Sequence, residues 1–143
     1  MQGTRSCGRQ PLAASGVLLA LATVAGAVGV HVLRSRWPAE RLQVYDTAVR
    51  YQFYHSLGLL GMGLLLRGEG LRAADAQRQG RGPRVPRSLR MAARLVFAGI
   101  VLFSGSLYAL TLGAPRWVGM VTPLGGVALI GGWLLFAFGI VRG

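Results

Sequence analysis

The sequence predicts an all-α integral membrane protein: a four-transmembrane-helix bundle, antiparallel and up-down, with an interfacial helical lead-in to its second helix. Three observations carry that prediction. Of the 143 residues 52% are hydrophobic and only 14% charged, with mean hydropathy +0.47, a composition of the membrane class rather than of soluble domains. The apolar residues gather into four runs. Between the runs lie arginines, glycines and prolines, the residues expected at membrane edges and in connections.

The net charge of +12 comes wholly from arginine, since the chain has no lysine, and alanine and glycine are abundant, a bias expected of a GC-rich bacterial genome. The lone cysteine, Cys7, leaves no partner for an internal disulfide or a thiolate metal cluster.

Residues 1–11 are expected to form a cytoplasmic tail, and 12–143 a single membrane domain. The first helix is expected over 12–33, an uncharged run preceded by Arg5 and Arg9. At ~1.5 Å per residue it is ~33 Å long, enough for a hydrocarbon core of ~30 Å. It exceeds the ~7 to 15 apolar residues of a signal peptide, and no small-residue cleavage site follows, so it is expected to be retained. Ala22 with Gly26, and Ala25 with Gly29, repeat the small-xxx-small spacing of close helix packing.

Pro38 suits a first helical turn and Glu40 favours a helix start, so residues from Pro38 to about Arg50 are expected to lie at the interface as a helical lead-in. The second helix is expected over 46–66. Its entry, Tyr45 to His55, is polar and aromatic, and Tyr51 and Gln52 share a face with His55 at i−4 and i−3. Residues 67–90 turn hydrophilic and hold Gly68, Gly70, Gly80, Gly82, Pro83 and Pro86, which predicts a mobile, unpacked cytoplasmic linker. Within it Arg78, Arg81, Arg84, Arg87 and Arg90 recur every third residue, a spacing that a polyproline II strand aligns on one face. That strip is expected either to bind anionic lipid headgroups, at ~1 kcal/mol per Arg, or merely to fix topology. No aromatic residue is interleaved to stack on bases, so nucleic acid is not expected as a partner.

The third helix is expected over 91–112, with Ser104, Tyr108 and Thr111 forming a polar stripe, and Gly113 and Pro115 end it. The fourth is expected over 123–141, with Thr122 as its cap and Pro123 in its first turn. Gly125, Gly126, Gly131, Gly132 and Gly139 fit close packing, and Trp133 is deep enough in the span to be a packing group.

Four segments then follow one another in order: Gly26 to His31; Thr47-Ala48 with Tyr51-Gln52 and His55; Leu102-Phe103-Ser104-Gly105-Ser106-Leu107-Tyr108; and Thr122-Pro123-Leu124-Gly125-Gly126 with Gly132-Trp133. Together they resemble domain-of-unknown-function family 423, the transmembrane protein 256-like group. The resemblance implies a small multi-pass membrane protein and supplies no catalytic or ligand-binding residue.

Chemistry is sparse. Two His, one Cys and the acids Glu40, Asp46, Glu69 and Asp75 offer no metal-ligand spacing, paired carboxylates or activated nucleophile, so neither enzyme activity nor a cofactor is expected. One candidate site remains. With the helices laid antiparallel, His31, Tyr51, Gln52, His55, Ser104, Tyr108 and Thr122 fall in one half of the membrane. They form either a functional polar cluster or a set of interhelical hydrogen bonds. The first expectation is therefore a noncatalytic protein of the cell (inner) membrane, packing as a homo-oligomer or with other membrane-complex subunits. The alternative is a channel or carrier for protons or small solutes using His31 and His55. Both termini are expected in the cytoplasm by the positive-inside rule.

Overall fold

A computed structural model describes residues 8–79 and 86–142, and every element within them is helical. Helix α1 is Arg9–Val28 and continues as a π-helical turn, Gly29–Leu33; α2 is Ala39–Arg78, α3 is Arg87–Thr111, and α4 is Val121–Val141, entered through a 3₁₀ turn at Arg116–Met120. Three stretches are long and apolar enough to cross a membrane: Arg9–Leu33, Arg87–Thr111 and Arg116–Val141. Helix α2 lies outside that set, because its apolar stretch from Ser56 to Leu66 is bounded by Arg50 and His55 on one side and by Arg67 and Glu69 on the other.

Two expectations change along α2. The lead-in and the second helix are one continuous 40-residue helix, and the helix runs on through residues 67–78, where a linker was expected. Glycines at 68 and 70 disfavour helix, but the following Leu71-Arg72-Ala73-Ala74 are good helix formers and Glu69 pairs with Arg72 at 2.9 Å across one turn. Pro38 caps the start, so Asp46 sits mid-helix. Arg78 ends α2, while Arg87 and Arg90 stand exposed on the first turns of α3. These three therefore do not form part of one polyproline strand. Arg81 and Arg84 lie outside the described residues, as do Arg5 and Cys7.

The helices pack in chain order: α1 along α2, α2 along α3, α3 along α4, with α1 touching α3 lightly. Among the described residues α1 and α4 do not meet. The α3–α4 seam is the tightest, and it is a regular antiparallel mesh in which each large side chain faces a glycine. Gly125 lies against the backbone of Phe103, Gly132 against Val96, Gly99 against Leu129, and Gly139 against Ser88 and Leu89. A Cβ on any of these four comes within 3 Å of the opposing helix. Helices α1 and α2 use the same device at Gly63, which receives Leu12, and at Gly29, which receives the ring of Tyr45. The core that results is apolar: Leu59, Met62 and Leu66 of α2, Leu89, Ala93, Val96 and Ile100 of α3, and Leu129 of α4. On the outside, Val17, Leu21 and Val24 of α1 and Leu124, Val127, Ile130 and Leu134 of α4 are more than half exposed, an apolar belt suited to lipid.

Candidate functional site

Helices α2 and α3 carry most of the buried polar side chains. Tyr45, Ala48, Gln52, Ser56 and Leu59 recur at three- and four-residue steps, so they share the buried face of α2. From that face Tyr45 donates its hydroxyl to the Ala25 carbonyl at 2.8 Å, and Gln52 donates Nε2 to the Leu18 carbonyl at 2.8 Å. Both carbonyls belong to α1. A helical carbonyl has two lone pairs, so the α1 ladder is kept while α2 is tied to it.

At the loop end of α2, Arg41 donates Nε to the carbonyl of Thr111 at 2.6 Å. Thr111 is the last residue of α3, and its carbonyl is among those a helix end leaves without an internal partner. A cation there also meets the negative end of the helix dipole. The guanidinium carbon of Arg41 lies 4.1 Å from the ring centre of Trp37. Trp37 meets Tyr45 edge-on at 5.8 Å, and Tyr45 meets Tyr108 at 5.3 Å, so one aromatic and cationic knot joins the ends of α1, α2 and α3. The i, i+4 spacing of Trp37, Arg41 and Tyr45, with Trp37 just ahead of α2, is the signal in the sequence from which this knot follows.

A second group sits farther along. Tyr51 stacks on Phe103 with ring centres 4.6 Å apart, and it neighbours His55 at 5.7 Å. Trp133 of α4 packs against Gly58 of α2 and donates its Nε1–H to His55 Nδ1 at 2.9 Å. An Nδ1 acceptor is the arrangement that a neutral imidazole protonated on Nε2 provides. A third group is Ser106 and Thr122, whose hydroxyls lie 2.7 Å apart and join α3 to the start of α4. Thr122 was expected to cap α4. Instead the helix begins at Val121 without a side-chain cap, and the hydroxyl of Thr122 is turned to α3.

The seven candidates therefore do not converge on one point. Tyr51 and His55 share a group with Trp133; Gln52 holds α1; Tyr108 belongs to the aromatic knot; Thr122 holds Ser106; Ser104 is buried on α3. His31 stands apart, exposed in the π-helical turn that ends the first span. An open groove of about 300 Å³ runs along Ala39, Leu42, Gln43, Asp46, Thr47 and Arg50, and none of the seven candidates lines it. Among the described residues no three His, Cys, Asp or Glu side chains gather as a metal site.

An apolar belt, spans knit by glycine contacts and polar side chains turned to neighbouring helices define an integral membrane protein built from packed helices. More specifically, the chain belongs to the family described as Protein of unknown function (DUF423), whose model matches residues 25–126. That range holds Arg41, Tyr45, Tyr51, Tyr108 and Thr122, and it stops short of Trp133. Among similar proteins, the UPF0382 membrane protein SSP2132 of Staphylococcus saprophyticus is 37% identical over 131 residues, 92% of this chain and 94% of its own length. The UPF0382 membrane protein YwdK of Bacillus subtilis is 42% identical over 122 residues, covering 85% and 88% of the two chains. The UPF0382 inner membrane protein YgdD of Escherichia coli is 35% identical over 117 residues, covering 82% and 78%. No solved structure matches the chain.

Proposed function

We propose that this chain is a noncatalytic, four-pass protein of the cell membrane that works by packing, as a subunit or assembly partner of a larger membrane complex. The observation that carries the reading is the use made of the polar groups. Arg41, Tyr45 and Gln52 hold carbonyls of other helices, His55 accepts from Trp133, and Thr122 meets Ser106. Each serves helix to helix. A carrier built on His31 and His55 needs both in one aqueous path, and the exposed turn around His31 is separate from the His55–Trp133 pair.

Four crossings are supported by how α2 fits α1. Gly63 faces Leu12 near one end of α1 and Tyr45 faces Gly29 near the other, so α2 runs the length of a spanning helix. Its His55, Gln52 and Tyr45 are tolerable at depth because each has a partner on another helix. A homologue named as an inner membrane protein supports the same location here.

Reconstitution tests the reading. Full-length protein purified in a mild detergent is expected to retain companion membrane subunits at constant stoichiometry, and in liposomes to give no proton or solute flux above that of empty vesicles. Proton flux that disappears in His55→Ala, with the fold intact, establishes the carrier instead.

A further inference from the structure

The open groove of about 300 Å³ on the outer flank of α2 brings together an acid, Asp46, an arginine, Arg50, and the polar side chains of Gln43 and Thr47. Acids are scarce in this chain, four against 16 arginines, so a carboxylate in the groove is a distinctive feature. Asp46 and Arg50 stand one turn apart, the spacing at which opposite charges on a helix commonly pair. Here they do not pair with each other; the one ion pair among the described residues is Glu69–Arg72. The groove therefore presents two separate charges of opposite sign.

The groove lies at the edge of the first span. A Cβ on Gly29, which opens the π-helical turn ending that span, would stand 3.8 Å from Asp46 Oδ1, and one on Gly26, a turn earlier, 3.6 Å from Val49. Asp46 is thus level with the end of the span, and Arg50 lies about a turn inside it, ~6 Å along the axis. The same face of α2 continues inward at three- and four-residue steps through Tyr54, Leu57, Gly61 and Leu64. Tyr54, Leu57 and Leu64 are 64%, 45% and 58% exposed, and a Cβ at Gly61 would meet nothing within 4 Å. From the edge inward the face presents acid, arginine, tyrosine and then an uncovered apolar track.

We infer that this face binds one phospholipid whose headgroup ends in a primary ammonium. In such a lipid the ammonium is outermost, the phosphate next, then the ester carbonyls and the acyl chains, which is the order of Asp46, Arg50, Tyr54 and the apolar track. An arginine fork suits the phosphate, and a tyrosine hydroxyl can donate to an ester carbonyl. A primary ammonium has three N–H donors. The groove offers the Asp46 carboxylate, the side-chain oxygen of Gln43 and Oγ1 of Thr47, which gives its own proton to the Gln43 main-chain carbonyl at 2.9 Å and keeps its lone pairs to accept. A choline headgroup has no N–H to donate and gains the charge alone. The volume is at the small end of ligand sites, ~300–1,000 Å³, which suits a headgroup with its chains lying outside along α2. The site goes beyond the packing role, and it rests on α2 crossing the membrane as that reading has it.

Native mass spectrometry tests the site on the full-length protein, released from micelles that contain phosphatidylethanolamine and phosphatidylcholine with the same acyl chains. The wild type should retain phosphatidylethanolamine severalfold more than phosphatidylcholine. Asp46→Asn, nearly unchanged in shape, should bring the two to parity, and Arg50→Gln should weaken both. Soluble glycerophosphoethanolamine, the headgroup without chains, should displace little; displacement at a concentration equal to the lipid's overturns the lipid as occupant. Equal retention of the two lipids by the wild type, or a preference that survives Asp46→Asn, overturns the site. Cysteine labelling of full-length Cys7→Ser protein carrying Ser35→Cys or Gln79→Cys shows separately whether α2 crosses. A missing preference with the two positions on opposite sides of the membrane refutes the lipid site and leaves the four-pass reading standing.

Discussion

Trp133 ties α4 to α2 through its contact with Gly58 and its bond to His55. Accepting at Nδ1 requires the neutral Nε2–H tautomer, so nitrogen-15 NMR of the histidines in nanodiscs should show that tautomer at neutral pH, with His31→Asn and His55→Asn giving the assignments. An imidazolium, or a proton on Nδ1, contradicts the geometry. Trp133→Phe keeps most of the ring and removes the donor; the expected loss is ~0.6 kcal/mol, the average for interhelical hydrogen bonds in a membrane. Trp133→Ala also empties the space over Gly58 and should cost ~3–5 kcal/mol, both read from unfolding in mixed micelles. From the sequence, Trp133 was legible as a packing group by its depth. Its bond to His55 was not, because nothing along one chain ties residues 55 and 133 together until α3 fixes the distance between α2 and α4.

Among elements, the α3–α4 hairpin makes the sharpest distinction. Gly125 and Gly131 look alike in the sequence, but Gly125 abuts the Phe103 backbone, while a Cβ at Gly131 meets nothing within 4 Å. Gly125→Val is therefore expected to separate the helices at a cost of ~1–3 kcal/mol. Gly131→Val should stay within ~0.5 kcal/mol of wild type. Equal effects in thermal unfolding count against the mesh. The glycine pattern made close packing readable in advance. Which glycines lie on the seam follows from the heptad steps Gly125, Gly132 and Gly139 only once α3 supplies the opposing Phe103, Val96 and Leu89. The end of α2 is not legible in the sequence for a different reason: glycine, arginine and acid in residues 67–78 are the composition of a linker, and only the local helix formers and the Glu69–Arg72 pair say otherwise.

Across the whole molecule the charges separate by end. Among the described residues Arg9, Arg67, Arg72, Arg78, Arg87, Arg90, Arg94 and Arg142 fall to the side of the α2–α3 connection, leaving Arg34, Arg36, Arg41, Arg50 and Arg116 for the other. If all four helices cross, the positive-inside rule predicts both termini in the cytoplasm. A phosphatase reporter fused after residue 143 should be inactive and a fluorescent protein fused there bright; the reverse pattern refutes the topology. Exchanging Arg78, Arg87 and Arg90 for Gln should lower the share of anionic lipid that co-purifies with the full chain, and high salt should do the same. An unchanged share leaves these arginines a topological role alone. The linear order of packing, each helix on its neighbour in the chain, also bears on how the protein is made. Because α1 closes on α2 and α3 on α4 with only short stretches of chain between them, each hairpin is complete as soon as its second helix leaves the ribosome, and no early helix waits for a distant one. Insertion can proceed two helices at a time, with the loop-closure entropy of each step kept small. The Arg41 bond to Thr111, which spans the two hairpins, is then among the last contacts to form.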